Sequence, residues 1–168
     1  MKTIAADVRL AEARDAGALA RVHATSWQSA YRGLIPHRAL TAMIERRGIE
    51  WWARAIGNHA TILVLEYGGE IAGYATVGRN RTRGLSAEGE VYEIYMRPEF
   101  QGVGFGRRLF DSARMLLRAR GLGGLVVWAL SDNDNAMRFY QSAGGADIAT
   151  GSETFDGVTL QKVAFSFV

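Results

Sequence analysis

The pattern that decides the fold is residues 90–108, EVYEIYMRPEFQGVGFGRR. Its first part, Glu90 to Met96, favours a β-strand because β-branched and aromatic side chains dominate it. Pro98 stops that strand, and Gly102, Gly104 and Gly106 follow, just before an apolar-periodic helix that we expect from about Gly104 to Arg120. Alternate glycines let the backbone approach a ligand closely, and the free amides at a helix start favour an anion. The unit therefore predicts a phosphate or pyrophosphate site.

Two widespread phosphate-binding motifs do not match this loop. A P-loop needs Gly-Lys-Ser/Thr after four variable residues, and Gly106 is followed by Arg107 and Arg108. A dinucleotide fingerprint needs G-x-G-x-x-G, and neither Gly102 nor Gly104 begins one. For the glycines taken alone, an ordinary tight β–α turn is the competing interpretation.

The rest of the chain predicts a single α+β domain. The order is β-α-α-β-β-β-α-β-α-β-β, and only its centre is a βαβ unit, flanked by antiparallel hairpins. We expect one domain over residues 1–168, with a mixed, mostly antiparallel sheet and flanking helices. The expected strands are Val8–Leu10, Thr61–Glu66, Ile71–Val77, Glu90–Met96, Leu125–Leu130 and two strands around Asp156-Gly157; the other helices start at an Asp15 N-cap, run from His37 to Ile56 with a break at Gly48, and span Asn135–Ser142.

Composition narrows the function classes. The chain has 168 residues, of which 48% are hydrophobic and 22% charged, which is typical of one globular domain. Cysteine is absent, which excludes disulfides, thiolate metal sites and cysteine nucleophiles, and the three histidines are not clustered, so we expect no metal site. No apolar run approaches the ~20 residues that span a bilayer, and no leader segment is evident. We expect a cytoplasmic protein that does not bind membranes.

Two segments resemble the GNAT superfamily of N-acetyltransferases. Gln101–Gly106 is similar to the acyl-CoA loop, Gln/Arg-x-x-Gly-x-Gly/Ala, and residues 133–144, NDNAMRFYQSAG, are similar to the family's N-x-x-A-x-x-F-Y-x-x-x-G segment. The two matches lie within residues 88–145, and their joint occurrence is far more specific than either alone. Gly145 departs from the family, in which many members carry Phe, and we expect the change to affect local packing.

The resemblance implies acetyl-CoA as the cofactor and a primary amine, on a small molecule or a peptide, as the acceptor, with direct attack in a ternary complex. A backbone amide near Met96 would polarise the thioester carbonyl. Asn133 and Asn135 would either hydrogen-bond the cofactor or cap the following helix. The implied cofactor contacts are Ile94, Tyr95, Met96, Gln101, Gly102, Val103, Gly104, Phe105, Gly106, Arg107, Asn133, Asn135 and Tyr140.

The resemblance also implies the groups that move protons. Tyr140 matches the tyrosine that acts as general acid, although a tyrosine on a short helix can equally be a core residue. Glu90 and Glu93 compete as the general base. Strand alternation puts Glu90 on one face with Tyr92, Ile94 and Met96, and Glu93 on the other with Val91 and Tyr95, which favours Glu90. Either glutamate could instead be a solvent-facing strand residue.

The acceptor side is less specified. In the family, the segment after the first helix borders the acceptor, which implies Trp27, Tyr31 and residues 32–36 here, together with Glu90; Trp27 could also be simple core. The loop from Arg79 to Glu88 is expected to be solvated. Basic residues are scattered, so we expect no nucleic-acid binding. A homodimer is one candidate state, and a non-catalytic acyl-CoA-binding domain is the alternative function.

Overall fold

The computed structural model describes residues 5–168 and confirms the predicted α+β fold. Within these residues, five α-helices and seven strands follow one another in the expected order, with the helical region after Pro36 split at Gly48. The strands are β1 (Ala6–Leu10), β2 (Thr61–Tyr67), β3 (Glu70–Arg79), β4 (Gly89–Met96), β5 (Leu125–Leu130), β6 (Ala146–Phe155) and β7 (Val158–Phe167). The helices are α1 (Ala16–Tyr31), α2 (His37–Arg46), α3 (Ile49–Gly57), α4 (Phe105–Ala119) and α5 (Asp134–Ser142).

One seven-stranded sheet has the order β1-β2-β3-β4-β5-β7-β6. All neighbours are antiparallel except β4 and β5, the two strands that the glycine loop and α4 connect. These two pair at only three positions, from Gly89↔Leu125 to Val91↔Val127. Beyond Val91 and Val127 both strands continue without pairing to each other. The sheet therefore has a gap at its centre.

The two larger of the three hydrophobic clusters among the described residues cover the two faces of the sheet. On one face α4 and α5 pack against β3, β4 and β5 through residues such as Leu109, Phe110 and Val127. On the other, α1 and α3 pack through Leu19, Trp52 and Tyr74. We call these faces the α4 side and the α1 side. The gap between β4 and β5 connects the α4 side of the sheet with the α1 side.

A β-bulge in β4 corrects the predicted strand faces. Thr76 pairs with Glu93 and Val77 with Val91, so Tyr92 is an extra residue on β4. Paired antiparallel residues project to the same face, and the bulge reverses the alternation on one flank. Val91 therefore packs on the α4 side, like Ile94 and Met96. Glu90 lies on the α1 side, the same side as Glu93, whereas simple alternation predicted opposite sides.

The sequence predicted a hairpin at Asp156-Gly157 and an N-cap at Asp15, and the two predictions differ in how well the structure supports them. The Asp156-Gly157 hairpin is confirmed: both residues have positive φ, 48° and 80°, as a type I′ turn requires. Asp15 does precede α1, but its carboxylate does not cap that helix. It accepts from the Glu12 amide at 2.7 Å and from Arg9 at 2.7 and 3.0 Å, within a short 3₁₀ turn.

No helix within residues 5–168 has the length and hydropathy needed to cross a bilayer.

His23 is a buried titratable residue in the α1-side core. It is fully buried on α1, with its ring against Trp27 and Trp52 at centroid distances of 4.5 and 5.9 Å. Neither ring nitrogen has a hydrogen-bond partner among the described residues. Burial, with a smaller contribution from the charge of Arg47, lowers the pKa of His23 from 6.5 to about 3. The native fold therefore holds this imidazole neutral.

We predict that His23 makes the free energy of unfolding decrease as pH decreases. The unfolded chain takes up a proton below its ordinary pKa of about 6.5 while the native state does not, so stability is full above that pH and is lost as pH falls towards about 3. Between pH 7.5 and 5 this costs about 2 kcal/mol of unfolding free energy. Urea denaturation at both pH values should show that His23→Leu removes this difference.

The exposed His37 provides the control. His37→Gln should keep the full pH dependence, because that side chain already faces solvent in the folded state. An equal loss of stability with falling pH in wild type and His23→Leu would contradict the assignment.

Candidate active site

A cavity of about 800 Å³ opens where β4 and β5 part. Its walls come from both sides of the sheet: the glycine loop, the start of α4 and α5 on one side, and the end of α1 on the other. Because both sets of residues line one continuous space, two ligands bound from opposite faces would meet in the gap. The predicted site residues that line it are Tyr31, Glu93, Ile94, Tyr95, Met96, Gln101, Gly102, Gly104, Gly106, Arg107, Asn133, Asn135 and Tyr140.

The glycine loop has the backbone geometry of an anion cradle. Gly102 and Gly104 have φ values of 79° and 88°, in the left-handed region that glycine adopts without penalty. Gly104 is the N-cap of α4, so the first amides of this 15-residue helix lie at the cavity. A Cβ built on either glycine would meet no atom within 4 Å. The loop therefore leaves open space on its ligand side.

Of the larger residues in the glycine loop, Arg107 lines the cavity, whereas Val103 and Phe105 do not. Arg107 lines the cavity and pairs with Asp111 at 3.1 Å on an exposed surface, where the guanidinium stays accessible to an anion. Val103 is 62% exposed and does not line the cavity, although the resemblance implied it as a contact. Phe105 also lies outside the lining, because its ring packs on Tyr67 at 4.9 Å.

The carboxyl end of β4 is held firmly at the cavity. The Met96 carbonyl accepts hydrogen bonds from Ser26 Oγ at 3.3 Å and Gln101 Nε2 at 3.1 Å. Gln101 thus fastens the loop to the strand, and Ser26 ties α1 to the same point. On the neighbouring strand, a Cβ at Gly73 would lie 2.2 Å from Met96 Sδ, so only glycine fits there. These contacts fix the strand end that the resemblance implies as the cofactor contact.

Tyr140 projects from α5 into the α4-side core and reaches the cavity. Its ring packs against Phe139 and Phe165 at centroid distances of 5.3 and 5.6 Å, so the predicted core role is also present. No side chain of residues 5–168 forms a hydrogen bond with its hydroxyl. Burial raises the pKa of Tyr140 well above its ordinary value of about 10. The phenol is therefore protonated at neutral pH and can donate that proton.

The two asparagines at the start of α5 line the cavity and also have roles within the helix. Asn133 is the N-cap, and its side-chain oxygen accepts from the Ala136 amide at 3.2 Å. Asn135 accepts from Arg138 at 2.7 Å. The capping interpretation of Asn133 is therefore confirmed, and its side chain also contacts the Tyr31 hydroxyl at the cavity, where it opposes the rise in the pKa of Tyr31.

Glu93 is the glutamate that lines the cavity. Its carboxylate accepts from Arg47 Nη1 at 2.5 Å and from the Tyr74 hydroxyl at 2.9 Å, one partner on each oxygen. Arg47 follows α2 and lies over the Trp51 ring at 4.5 Å, which fixes the guanidinium. The sequence did not predict Arg47 or Tyr74, since their partner lies 46 and 19 residues away. A basic residue just before the break at Gly48 was the only local signal.

Glu90 lies on the same face but outside the cavity lining. It is buried, and its carboxylate accepts from the Arg81 amide at 2.9 Å with the Arg81 guanidinium at 3.5 Å. Arg81 in turn lies 3.7 Å above the Tyr92 ring, so this arginine is not simply solvated as expected. The carboxylate anchors the β3–β4 loop, and the geometry favours Glu93 over the predicted Glu90.

The two aromatic residues implied for the acceptor are placed differently. Trp27 is buried behind the cavity with Ile35 and Leu40 and does not line it, so the core interpretation applies. Tyr31 does line the cavity, and its hydroxyl forms a short hydrogen bond with that of Tyr95. Burial raises the pKa of Tyr31 to about 12, so this pair is uncharged at neutral pH.

Comparison with known proteins agrees with this geometry. Residues 19–145 match the model of the acetyltransferase (GNAT) family. The chain belongs to the GNAT family. It is 27% identical to the uncharacterised N-acetyltransferase YuaI of Bacillus subtilis, over 95% of this chain and 91% of that protein. This family membership and the N-acetyltransferase relatives identify it as an N-acetyltransferase.

Solved structures show the same fold. The PaiA N-acetyltransferase of Thermoplasma acidophilum, in complex with coenzyme A, superposes with a TM-score of 0.74 at 17% identity, over 94% of this chain and 98% of that one. YncA of Salmonella typhimurium, solved with its cofactor acetyl-CoA, superposes with a TM-score of 0.71 at 22% identity, over 97% and 93% of the two chains.

Gly145, the departure from the GNAT segment, is explained by crowding. A Cβ there would lie 2.7 Å from Phe167 Cζ and 2.9 Å from the Tyr140 carbonyl oxygen. The side chains of Phe167 and Phe165 fill the space that a larger residue at position 145 would need. In this GNAT enzyme the core beside Tyr140 is therefore filled from β7.

We predict that Gly104→Ala weakens both the loop and its ligand. An alanine at φ 88° costs about 1 kcal/mol of unfolding free energy, because its Cβ clashes in the left-handed region. Coenzyme A affinity should fall at least about tenfold, since the strained loop no longer presents its amides. Chemical denaturation and titration calorimetry measure the two effects.

Gly57→Ala is the matched control. Gly57 ends α3 away from the cavity, without positive φ and with open space around it. That variant should bind coenzyme A like wild type and be at least as stable. Equal coenzyme A affinity in Gly104→Ala and wild type would show that the loop is not the anion site.

Proposed function

We propose that this GNAT enzyme transfers the acetyl group of acetyl-CoA to a primary amine by direct attack in a ternary complex. The observation that carries the proposal is the single cavity that joins the glycine loop on the α4 side to Glu93 and Tyr31 on the α1 side. A donor held at the loop and an acceptor held on the opposite face would meet in the gap without a covalent enzyme intermediate.

The residues at the α4 side fit acetyl-CoA. The open cradle at Gly102 and Gly104, the amides of α4 and the Arg107 guanidinium suit a pyrophosphate. The fixed end of β4 offers backbone groups to an amide-containing arm, with Asn133 opposite. When bound, acetyl-CoA supplies an activated thioester: the amine nitrogen bonds to the acyl carbon, the carbon–sulfur bond breaks, and the thiolate leaves.

Three proton transfers accompany the reaction: the acceptor nitrogen loses one proton before attack and a second as the amide forms, and the leaving thiolate gains one. An acceptor ammonium has to lose a proton before its nitrogen can attack, and Glu93 is placed to take it, directly or through water. Each oxygen of Glu93 accepts only one hydrogen bond from Arg47 or Tyr74, so a lone pair remains on each. Tyr140, a phenol that is protonated at neutral pH, donates the proton that the leaving thiolate needs. The second proton that the attacking nitrogen loses as the amide forms restores the phenol, directly or through water.

A non-catalytic acyl-CoA-binding domain is the second candidate. The same loop would bind the cofactor, but Glu93 and Tyr140 would then serve only packing. Thioester consumption with a panel of amines separates the two. The single domain over residues 1–168, the cytoplasmic location and the homodimer stay predictions from the sequence.

We predict that Tyr140→Phe lowers kcat about 100-fold, because the leaving thiolate loses its proton donor. The affinity for acetyl-CoA should stay near the wild-type value, since the ring and its packing are kept. Release of CoA thiol measures turnover, and calorimetry measures acetyl-CoA binding. Wild-type turnover in this variant would remove Tyr140 from the chemistry.

The two glutamates should respond differently to the same substitution. We predict that Glu93→Gln lowers kcat/KM about 100-fold at neutral pH, because the amide cannot accept the proton. Glu90→Gln is the matched control: it lies on the same strand and face but outside the cavity, so it should affect stability more than turnover. A larger loss of kcat/KM in Glu90→Gln would reinstate the assignment made from the sequence.

A further inference from the structure

We infer that the acceptor is a primary monoamine with an aromatic body and no carboxylate next to the amine. This inference rests on the proposed function and specifies its acceptor. It follows from two properties of the α1 side of the cavity: its aromatic walls, and the pairing of its half-buried carboxylate, Glu93, with Arg47.

The walls on the α1 side are mainly aromatic and apolar. Tyr31, Leu34, Tyr95 and Trp128 line this part, and all are half-buried. The Tyr31 and Tyr95 hydroxyls bond to each other, which leaves one O–H donor together with the two rings as the surface that meets a ligand. The rings of Tyr31 and Tyr95 meet edge to face at 6.2 Å, which fixes them as a preformed wall. Such a wall favours a flat apolar body.

The charge on this side suits one ammonium group. Glu93 is the half-buried carboxylate of the cavity lining, and Arg47 already offsets its charge. Asp132 and Asp134 also line the cavity but are exposed, in the turn after β5 and at the start of α5. A single ammonium can lie near Glu93 and the aromatic rings, which attract cations. Along the aromatic wall a polyamine would find no further half-buried carboxylate for its other charges, because Asp132 and Asp134 are solvent-exposed.

Among the described residues, no arginine or lysine lines the cavity on this side. Lys162 lies outside the lining, over the Trp128 ring at 4.7 Å and with the Glu153 carboxylate at 3.9 Å. The arginines in the cavity lining, Arg107 and Arg138, belong to α4 and α5 on the other side. Arg47 and Arg81 are paired with Glu93 and Glu90. An α-amino acid would bring its carboxylate towards Glu93 without a partner, and like charges in such contact cost several kcal/mol.

A matched set of acceptors tests the inference. 2-Phenylethylamine, L-phenylalaninamide and L-phenylalanine share one ring and one amine and differ in the group beside it: hydrogen, neutral amide or carboxylate. We expect kcat/KM for 2-phenylethylamine to exceed that for L-phenylalanine by at least about 100-fold, with the amide much closer to the amine. Spermidine and propylamine should each be at least about tenfold poorer than 2-phenylethylamine.

Binding is measured independently of turnover. Titration of 2-phenylethylamine and L-phenylalanine into the full-length enzyme with excess CoA reports amine affinity by calorimetry. We expect 2-phenylethylamine to bind and L-phenylalanine to bind at least about 100-fold more weakly. L-Phenylalanine or spermidine equal to or better than 2-phenylethylamine, in affinity or in kcat/KM, would overturn the inference.

Substitution at Tyr31 tests whether its ring contacts the aromatic body of the acceptor. Tyr31→Leu removes the ring and should raise KM for 2-phenylethylamine about tenfold while changing KM for propylamine much less. Tyr31→Phe keeps the ring and should keep the preference. Equal changes for both amines in Tyr31→Leu would show that the ring does not contact the acceptor body.

The same data separate this inference from the proposed function. If no amine releases CoA although acetyl-CoA binds, acetyl transfer is wrong, while the calorimetry still decides whether the α1 side selects aromatic monoamines. If CoA is released with spermidine or L-phenylalanine as the best acceptor, the proposed function holds and this inference fails.

Discussion

The short pairing of β4 with β5 is the constraint on which the site depends. Three paired positions are enough to keep the sheet continuous, and the loss of pairing after Val91 and Val127 opens a gap in its middle. Backbone groups along that gap are not used up by a neighbouring strand, so they are available to a ligand. Both cores close over the remaining strands, and the cavity forms where neither core fills the space.

The bulge at Tyr92 has a second consequence for the site. It turns Glu93 to the α1 side, where Tyr74 from β3 and Arg47 from the end of α2 hold its carboxylate. Without the extra residue, Glu93 and Tyr95 would not both follow Glu90 onto the face that meets α1. The bulge therefore places the Glu93 carboxylate on the α1 side of the cavity, next to the backbone groups at the end of β4.

The sequence predicted the features that neighbouring residues determine and missed those that depend on contacts between residues far apart in the chain. β5 was predicted residue for residue, and the glycine loop was placed correctly, because short-range periodicity and glycine spacing encode them. The predicted strand faces of Glu90 and Glu93 were wrong because strand alternation cannot reveal a bulge, and the choice of base between them stays a prediction. Arg47 was missed, since its contact with Glu93 depends on how α2 packs over the sheet. For Trp27 the sequence left core and cavity wall open, because its position on a helix does not show which residues its ring contacts.

Binding of acetyl-CoA in the gap between β4 and β5 is tested most directly by amide hydrogen exchange of the 168-residue protein with and without acetyl-CoA. Binding in the gap predicts slower exchange in peptides covering residues 92–107 and 133–140, and unchanged exchange in β1 and β2. Saturating acetyl-CoA that leaves residues 92–107 unprotected, or that protects β1 and β2 instead, would contradict it.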